Sequence, residues 1–200
     1  MAKFMKKLLF TFFLSLMTAA AVSATKDADS CPKASESAVV VAGNARFTVL
    51  TSQLIRMEWS EDGVFEDRAS LTFINRNLPV PEFKVKNSGK KVTIKTADLL
   101  LTYVGDLPFD ASNLKVEFLT AGEKSLWVPG KDDKANLMGT TRTLDNVDGN
   151  LHTAKDPLEK GLLSRDGWAV VDDSKNYLMD ETGWVTARAA KETYLDWYIF

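Results

Sequence analysis

The chain has one cysteine, Cys31, and one histidine, His152, in 200 residues. A lone cysteine closes no internal disulfide, so an exported chain of this kind must rest on its core. One His and one Cys leave no zinc-ligand spacing. There is no Gly-x-Ser-x-Gly elbow and no glycine-rich phosphate loop, so neither a serine-hydrolase triad nor a nucleotide cradle is expected. His152 reads as a surface or turn residue and Cys31 as an unreactive linker residue. No long stretch carries a sustained helical period. Net charge is also small: 25 Lys and Arg against 27 Asp and Glu leave a formal −2, with no basic footprint for nucleic acid. No cofactor and no metal is expected. Asp145 and Asp148 sit in Asp-Asn-Val-Asp-Gly-Asn but miss the alternating ligand spacing of a calcium loop.

At the amino terminus, Lys3, Lys6 and Lys7 precede an almost wholly apolar run from Leu8 to Val22, too short to cross a bilayer comfortably. Val22-Ser23-Ala24 offers small residues for cleavage before Thr25. Residues 1–24 therefore read as a secretory signal, and the localisation expected is periplasmic or extracellular, with no membrane attachment after cleavage. Losing three lysines and no acid takes the formal charge from −2 to −5. About 175 residues remain, enough for one domain with a sizeable core. Residues 25–37, rich in Ser, Ala, Asp and Lys, read as a linker.

From Ala38 the pattern is that of short strands. Val39–Ala42 and Arg46–Leu50 come first. Leu54–Ser60 alternates, with Ile55, Met57 and Trp59 on one face and Arg56 and Glu58 on the other. Period two with polar residues outward predicts a half-buried antiparallel strand. Phe83–Thr96 predicts a hairpin: Phe83 and Val85 alternate with Lys84 and Lys86, Asn87-Ser88-Gly89 turns the chain, and Val92 and Ile94 resume the alternation. Leu99–Val104, Leu114–Thr120, Trp168–Val171 and Trp184–Arg188 predict further strands. Many short strands at close spacing predict an all-β sandwich or barrel spanning residues 38–190.

Hydrolysis by paired carboxyl groups needs two of them facing one bond. Asp172 and Asp173 are adjacent on a strand, so their side chains point to opposite faces and cannot flank one bond; they read as a solvated turn. Trp59 falls on an apolar strand face and reads as core. Trp127 precedes a turn and could face either way. Trp168 and Trp184 follow glycines at strand starts, where they would pack at the edge of the sandwich or against a neighbouring module.

Three segments carry a family resemblance. They are Asn136-Leu-Met-Gly-Thr-Thr-Arg-Thr-Leu-Asp145, the run Pro157–Ser174 containing Gly-Leu-Leu-Ser-Arg-Asp-Gly-Trp, and the closing Asp196-Trp-Tyr-Ile-Phe200. Together they resemble the amino-terminal region of glycoside hydrolase family 31, the α-glucosidase and α-xylosidase family. The resemblance runs from about Ala45 onward. It implies an antiparallel β-sandwich of galactose-mutarotase-like type packed on a (β/α)8 barrel. That barrel supplies an aspartate nucleophile and an aspartate acid/base for a retaining reaction on an α-glucoside or α-xyloside. Neither catalytic aspartate falls in this chain, so it is expected to be inactive alone. The apolar stretch 191–200 is expected to be the truncated start of the barrel. In the family, a sandwich loop offers an acidic residue to the first sugar subsite; by position the resemblance makes Asp145 that candidate, with Arg142 beside it as a second substrate-binding residue.

Two other readings stand beside this one. One is a self-contained, non-catalytic carbohydrate-binding sandwich. The other is a small outer-membrane barrel ending on Phe200, which the charges of Lys84, Lys86 and Lys95 on the strands oppose.

Overall fold

A computed structural model describes residues 31–119, 125–139, 160–191 and 193–200. The expected signal, and Arg142, Asp145, Asp148 and His152, lie outside the described residues. Cys31–Phe200 forms one compact unit. It is all-β and antiparallel, and its only helical element among the described residues is a 3-10 turn at Glu36–Ala38.

Two five-stranded sheets share one core in a sandwich-like arrangement. The first contains β1 (Val39–Ala42), β2 (Ala45–Val49), β3 (Ile55–Ser60), β9 (Val170–Asp172) and β12 (Tyr194–Ile199), in the order β1-β2-β3-β12-β9. The second contains β4 (Lys84–Ser88), β5 (Lys91–Lys95), β6 (Leu99–Val104), β7 (Leu114–Phe118) and β8 (Ser125–Trp127), in sequence order. A small hairpin, β10 (Leu178–Met179) with β11 (Val185–Thr186), stands apart.

The core follows the period-two pattern. Phe47, Val49, Ile55, Met57 and Trp59 face Ile94, Leu99, Leu101, Tyr103, Leu114 and Val116, all buried. The Phe47 and Tyr103 rings meet at 5.5 Å between centroids. The expected hairpin forms with Val85 opposite Ile94, and the turn is Gly89-Lys90 between Ser88 and Lys91. Gly89 takes φ +60°, which favours glycine there. The first hairpin turns at Gly43, φ +58°, where an added Cβ would sit 2.2 Å from Asp106 Oδ1; that carboxylate accepts the Asn44 amide at 2.7 Å.

Three expectations need correction. First, the polar face of β3 is not solvated: all six residues are buried. The connection 61–83 and the segment 174–191 supply the groups that cover it; Arg76 and Phe73 reach Tyr198, and Arg188 and Lys191 reach Asp196 and Ser60. Second, the end of the expected linker is docked. The Cys31 carbonyl accepts from the Arg76 and Asn77 amides, and the Pro32 carbonyl accepts from the Arg76 guanidinium. Third, the stretch taken to open a separate module contains a central strand of this one. Tyr194–Ile199 pairs with β3 along its whole length and with β9 on the other side. Its apolar residues have partners already: Ile199 is fully buried, and Leu195 and Trp197 pack on the shared core.

Candidate functional site

Of the family-like segments, the structure describes Asn136–Gly139, Lys160–Ser174 and Asp196–Phe200. They converge at one edge of the sandwich, where β8 and β9 border their sheets. Asn136 is the knot. Its Nδ2 donates to the Gly161 carbonyl at 2.8 Å and to Asp133 at 2.8 Å, while its Oδ1 accepts the Gly161 amide at 2.9 Å and the Met138 amide at 2.8 Å. Backbone bonds from Leu137 to Leu163 and from Arg165 to Ala135 flank it. The described residues on either side of 140–159 are thus pinned to each other. The third segment joins through β9: the Phe200 and Ala169 backbones exchange hydrogen bonds, and the Asp173 amide donates to the Asp196 carbonyl at 2.8 Å.

The same edge holds a cavity of about 320 Å³. Three indoles wall it: Trp127, Trp168 and Trp197. Trp127 and Trp197 meet edge to face at 6.3 Å, and Lys131 Nζ lies 5.5 Å from the Trp168 ring centroid. The polar wall comprises Lys131, Asp133, Asn136, Lys160 and Asp172. Lys160 pairs with Asp132, and Asp133 accepts from Ser164 and Asn136. Asp172 is exposed, and its Oδ1 accepts from the Ser174 amide and hydroxyl. Trp127, left undecided from sequence, is buried here, as is Trp168. Trp184 is 75% exposed on the β10–β11 hairpin and plays no part.

A second cluster of acids lies on the opposite face of the first sheet. Arg46 holds Glu58 in a bidentate pair at 2.7 and 3.0 Å. Arg56 holds Asp196 in another, both bonds 2.8 Å, and touches Glu58 at 3.0 Å. Arg188 bridges Asp196 and Asp173, each at 3.0 Å. Glu58, Asp173 and Asp196 have no exposed side-chain surface. Burial pushes the Glu58 carboxyl up, against the pull of Arg56. Burial alone would lower Arg56, but Asp196 and Glu58 override it and hold its guanidinium well above its ordinary pKa. These carboxylates are held by guanidinium donors, with the Asn176 amide on Asp173 and the Tyr194 hydroxyl on Glu58, and are closed to solvent, so they cannot activate water or meet a glycosidic oxygen. Their role is to fasten strands. Asp172 and Asp173 do point to opposite faces, as expected, but Asp173 is a buried ion-pair member rather than a solvated turn residue.

Sequence reasoning did not bring Trp127, Lys131 and Trp197 together. They come from both sheets and from the loop after β8, and no local period links them. The one available signal was Trp127-Val-Pro-Gly, which marks an indole entering a turn.

No family model matches the chain, and no curated protein matches it. The structure thus defines a class by architecture, an all-β antiparallel domain with a sandwich-like core, and the functional reading rests on the residues themselves.

Proposed function

We propose that this chain is the amino-terminal β-sandwich portion of an exported retaining α-glycosidase of the family 31 kind. On this reading the sandwich is of galactose-mutarotase-like type. It braces a (β/α)8 barrel and shapes the mouth of its active site, and it is inactive alone. The barrel begins after β12, since β12 belongs to the sandwich. Arg142 and Asp145 are the residues assigned to the substrate.

One observation supports this most: the described parts of the three family-like segments, Asn136–Gly139, Lys160–Ser174 and Asp196–Phe200, meet at one edge. Segments that share a family pattern for a structural reason should share a place. That edge also turns Leu137, Leu162 and Leu163 outward, at 50, 57 and 68% exposure, as a surface to be covered by another module would.

The test is to read the coding sequence beyond Phe200 and express the longer product. The expectation is an open frame with barrel segments and hydrolysis of an α-glucoside or α-xyloside with retained configuration. In that form Asp145→Ala should lower kcat/KM by about tenfold or more. A stop codon after Phe200 would refute the reading. An unchanged kcat/KM in Asp145→Ala would remove Asp145 from the substrate site.

A further inference from the structure

We propose that the outer face of the β4–β5 hairpin is a docking strip for an acidic polysaccharide, a linear polymer that carries carboxylate or sulfate groups among its hydroxyls. This goes beyond the glycosidase reading and does not rest on it, since the hairpin contains none of the family-like segments.

Charge is unevenly placed along this chain. Residues 83–96 hold Lys84, Lys86, Lys90, Lys91 and Lys95 and no acid, with Glu82 and Asp98 the nearest on either side. Taking five positive charges from a net −2 leaves −7 on the rest of the chain. The strand register puts four of the five on one face. Val92 and Ile94 are buried in the shared core, so Lys91, Thr93 and Lys95 turn outward. Their partners across the hairpin are Ser88, Lys86 and Lys84. All four lysines are exposed. Among the described residues none of the four has an ion-pair partner, whereas Lys115 on the same sheet is paired with Glu117 at 2.8 Å.

Folding does not call for this pattern. Lys84 faces Lys95 directly, and like charges so placed are destabilising. Lysines on an edge strand keep other chains from pairing there, which accounts for Lys84 and Lys86 on β4. It does not account for Lys91 and Lys95, because β5 lies between β4 and β6. What the pattern does make is a narrow positive strip. Outward positions follow one another about 7 Å apart along a strand, and the two strands lie about 5 Å apart. The strip therefore runs about 14 Å, from the Lys84–Lys95 pair past Lys86 to Lys91. Beside it β6 presents Leu100, Thr102 and Val104, which carry no charge.

The chemistry of the strip selects among polyanions. Its outward residues include no aromatic ring for a base to stack on and no arginine for bidentate phosphate contact, which speaks against nucleic acid. They include no apolar side chain to enter a lipid surface. They do include the hydroxyls of Ser88 and Thr93, set between the ammonium groups. A lysine ammonium is a mobile point charge with three donors. Such charges in a line, interleaved with hydroxyls, match a polymer of acid groups spaced along a hydroxylated chain.

The experiment uses the full chain, titrated with polygalacturonate and with dextran sulfate, and with neutral dextran as the uncharged control. Saturable binding to at least one acidic polymer is expected, at least tenfold weaker at about 200 mM salt than at about 50 mM. Each of Lys84→Gln, Lys86→Gln, Lys91→Gln and Lys95→Gln should weaken it about threefold, and the four together about thirtyfold or more. Lys95→Gln should do so without lowering the thermal midpoint, because it also removes the clash with Lys84. Lys115→Gln, outside the hairpin, should leave Kd unaltered. No saturable binding to either acidic polymer would overturn the proposal, as would binding that survives the fourfold variant. Equal affinity for neutral dextran, poly-glutamate, single-stranded DNA or phosphatidylglycerol vesicles would overturn it too, by marking a different partner or none in particular. A silent titration beside an active longer enzyme would reject the strip and leave the glycosidase reading intact.

Discussion

Asp196 is the residue at which the two views of the carboxyl-terminal stretch part. If Tyr194–Ile199 belonged to a separate module, Asp196→Ala would leave the sandwich untouched. In the structure Asp196 is fully buried and accepts two hydrogen bonds from Arg56 and one from Arg188. Arg56 is itself only 2% exposed. Removing the carboxylate leaves that guanidinium with Glu58 and the Glu66 carbonyl, one charge short of balance, in a site water does not reach. Breaking a buried pair from one side costs about 3–5 kcal/mol. That is a large share of the roughly 5–15 kcal/mol by which domains are stable. For a domain of this size it lowers the thermal midpoint by about 6–20 °C.

Equilibrium urea unfolding followed by indole fluorescence measures this directly, provided the slope m is unchanged between variants. The companion variant Arg56→Met/Asp196→Leu removes both partners and fills their space. Its loss should be smaller than the sum of the two single losses by about 1–3 kcal/mol. A cost below about 1 kcal/mol for Asp196→Ala would match a surface ion pair. It would refute both the burial of this web and the place of β12 inside the sheet, between β3 and β9.

Two further outcomes test the site edge and the core. Gly161→Ala should loosen the knot at Asn136, because the added Cβ would lie 2.7 Å from the Met138 carbonyl oxygen, a backbone atom that cannot swing aside. A loss of about 1–3 kcal/mol is expected, with faster hydrogen exchange at the Leu137 and Arg165 amides; unchanged exchange there would contradict the described contact. At alkaline pH the buried phenols should resist ionisation. Burial, with Asp106 and Asp110 adding to it, pushes Tyr103 up to about 12, and burial raises Tyr194 and Tyr198 further. The unfolded chain ionises its tyrosines first, near 10, so this stability is whole below about pH 10 and is lost as pH rises toward 12. Phenolate absorbance should therefore appear together with unfolding. A smooth titration near the ordinary value in the folded protein would refute it.

What could be read from the sequence was local. The Phe83–Thr96 hairpin declares itself through alternation on both sides of a turn, and its pairing of Val85 with Ile94 follows from that pattern. The inward set Ile55, Met57 and Trp59 was legible for the same reason. What escaped was non-local. Arg56 and Glu58 have the look of an outward face, and only Asp196, 140 residues from Arg56, together with Arg188 and the segment after β3, makes that face an interior. The last strand was hidden by its composition. It does alternate, with Leu195, Trp197 and Ile199 against Tyr194, Asp196 and Tyr198. Because its second face packs aromatic rings and a buried acid, the stretch reads as uniformly greasy rather than two-faced. The assigned substrate residues, Arg142 and Asp145, lie outside the described residues, so their role stands on the family resemblance alone.

That alternation ties the ionic web to the cavity. Along β12, Asp196 turns to the web while its neighbour Trp197 turns to the core and lines the cavity. On β9 the same division recurs: Asp173, just past the strand, joins the web, and Asp172 joins the cavity rim. A slip of one residue in either strand would exchange the two sets, placing an indole among guanidiniums and a carboxylate in the apolar core. The bidentate Arg56–Asp196 pair and the Arg188 bridge tolerate no such exchange, because each would leave a buried charge unpaired. The web thus holds a register, whatever it contributes to net stability. In holding it, the web places Trp197 opposite Trp127 and sets Asp172 at the mouth of the cavity. The buried charges on one face of the sheet are therefore a condition for the shape of the cavity on the other.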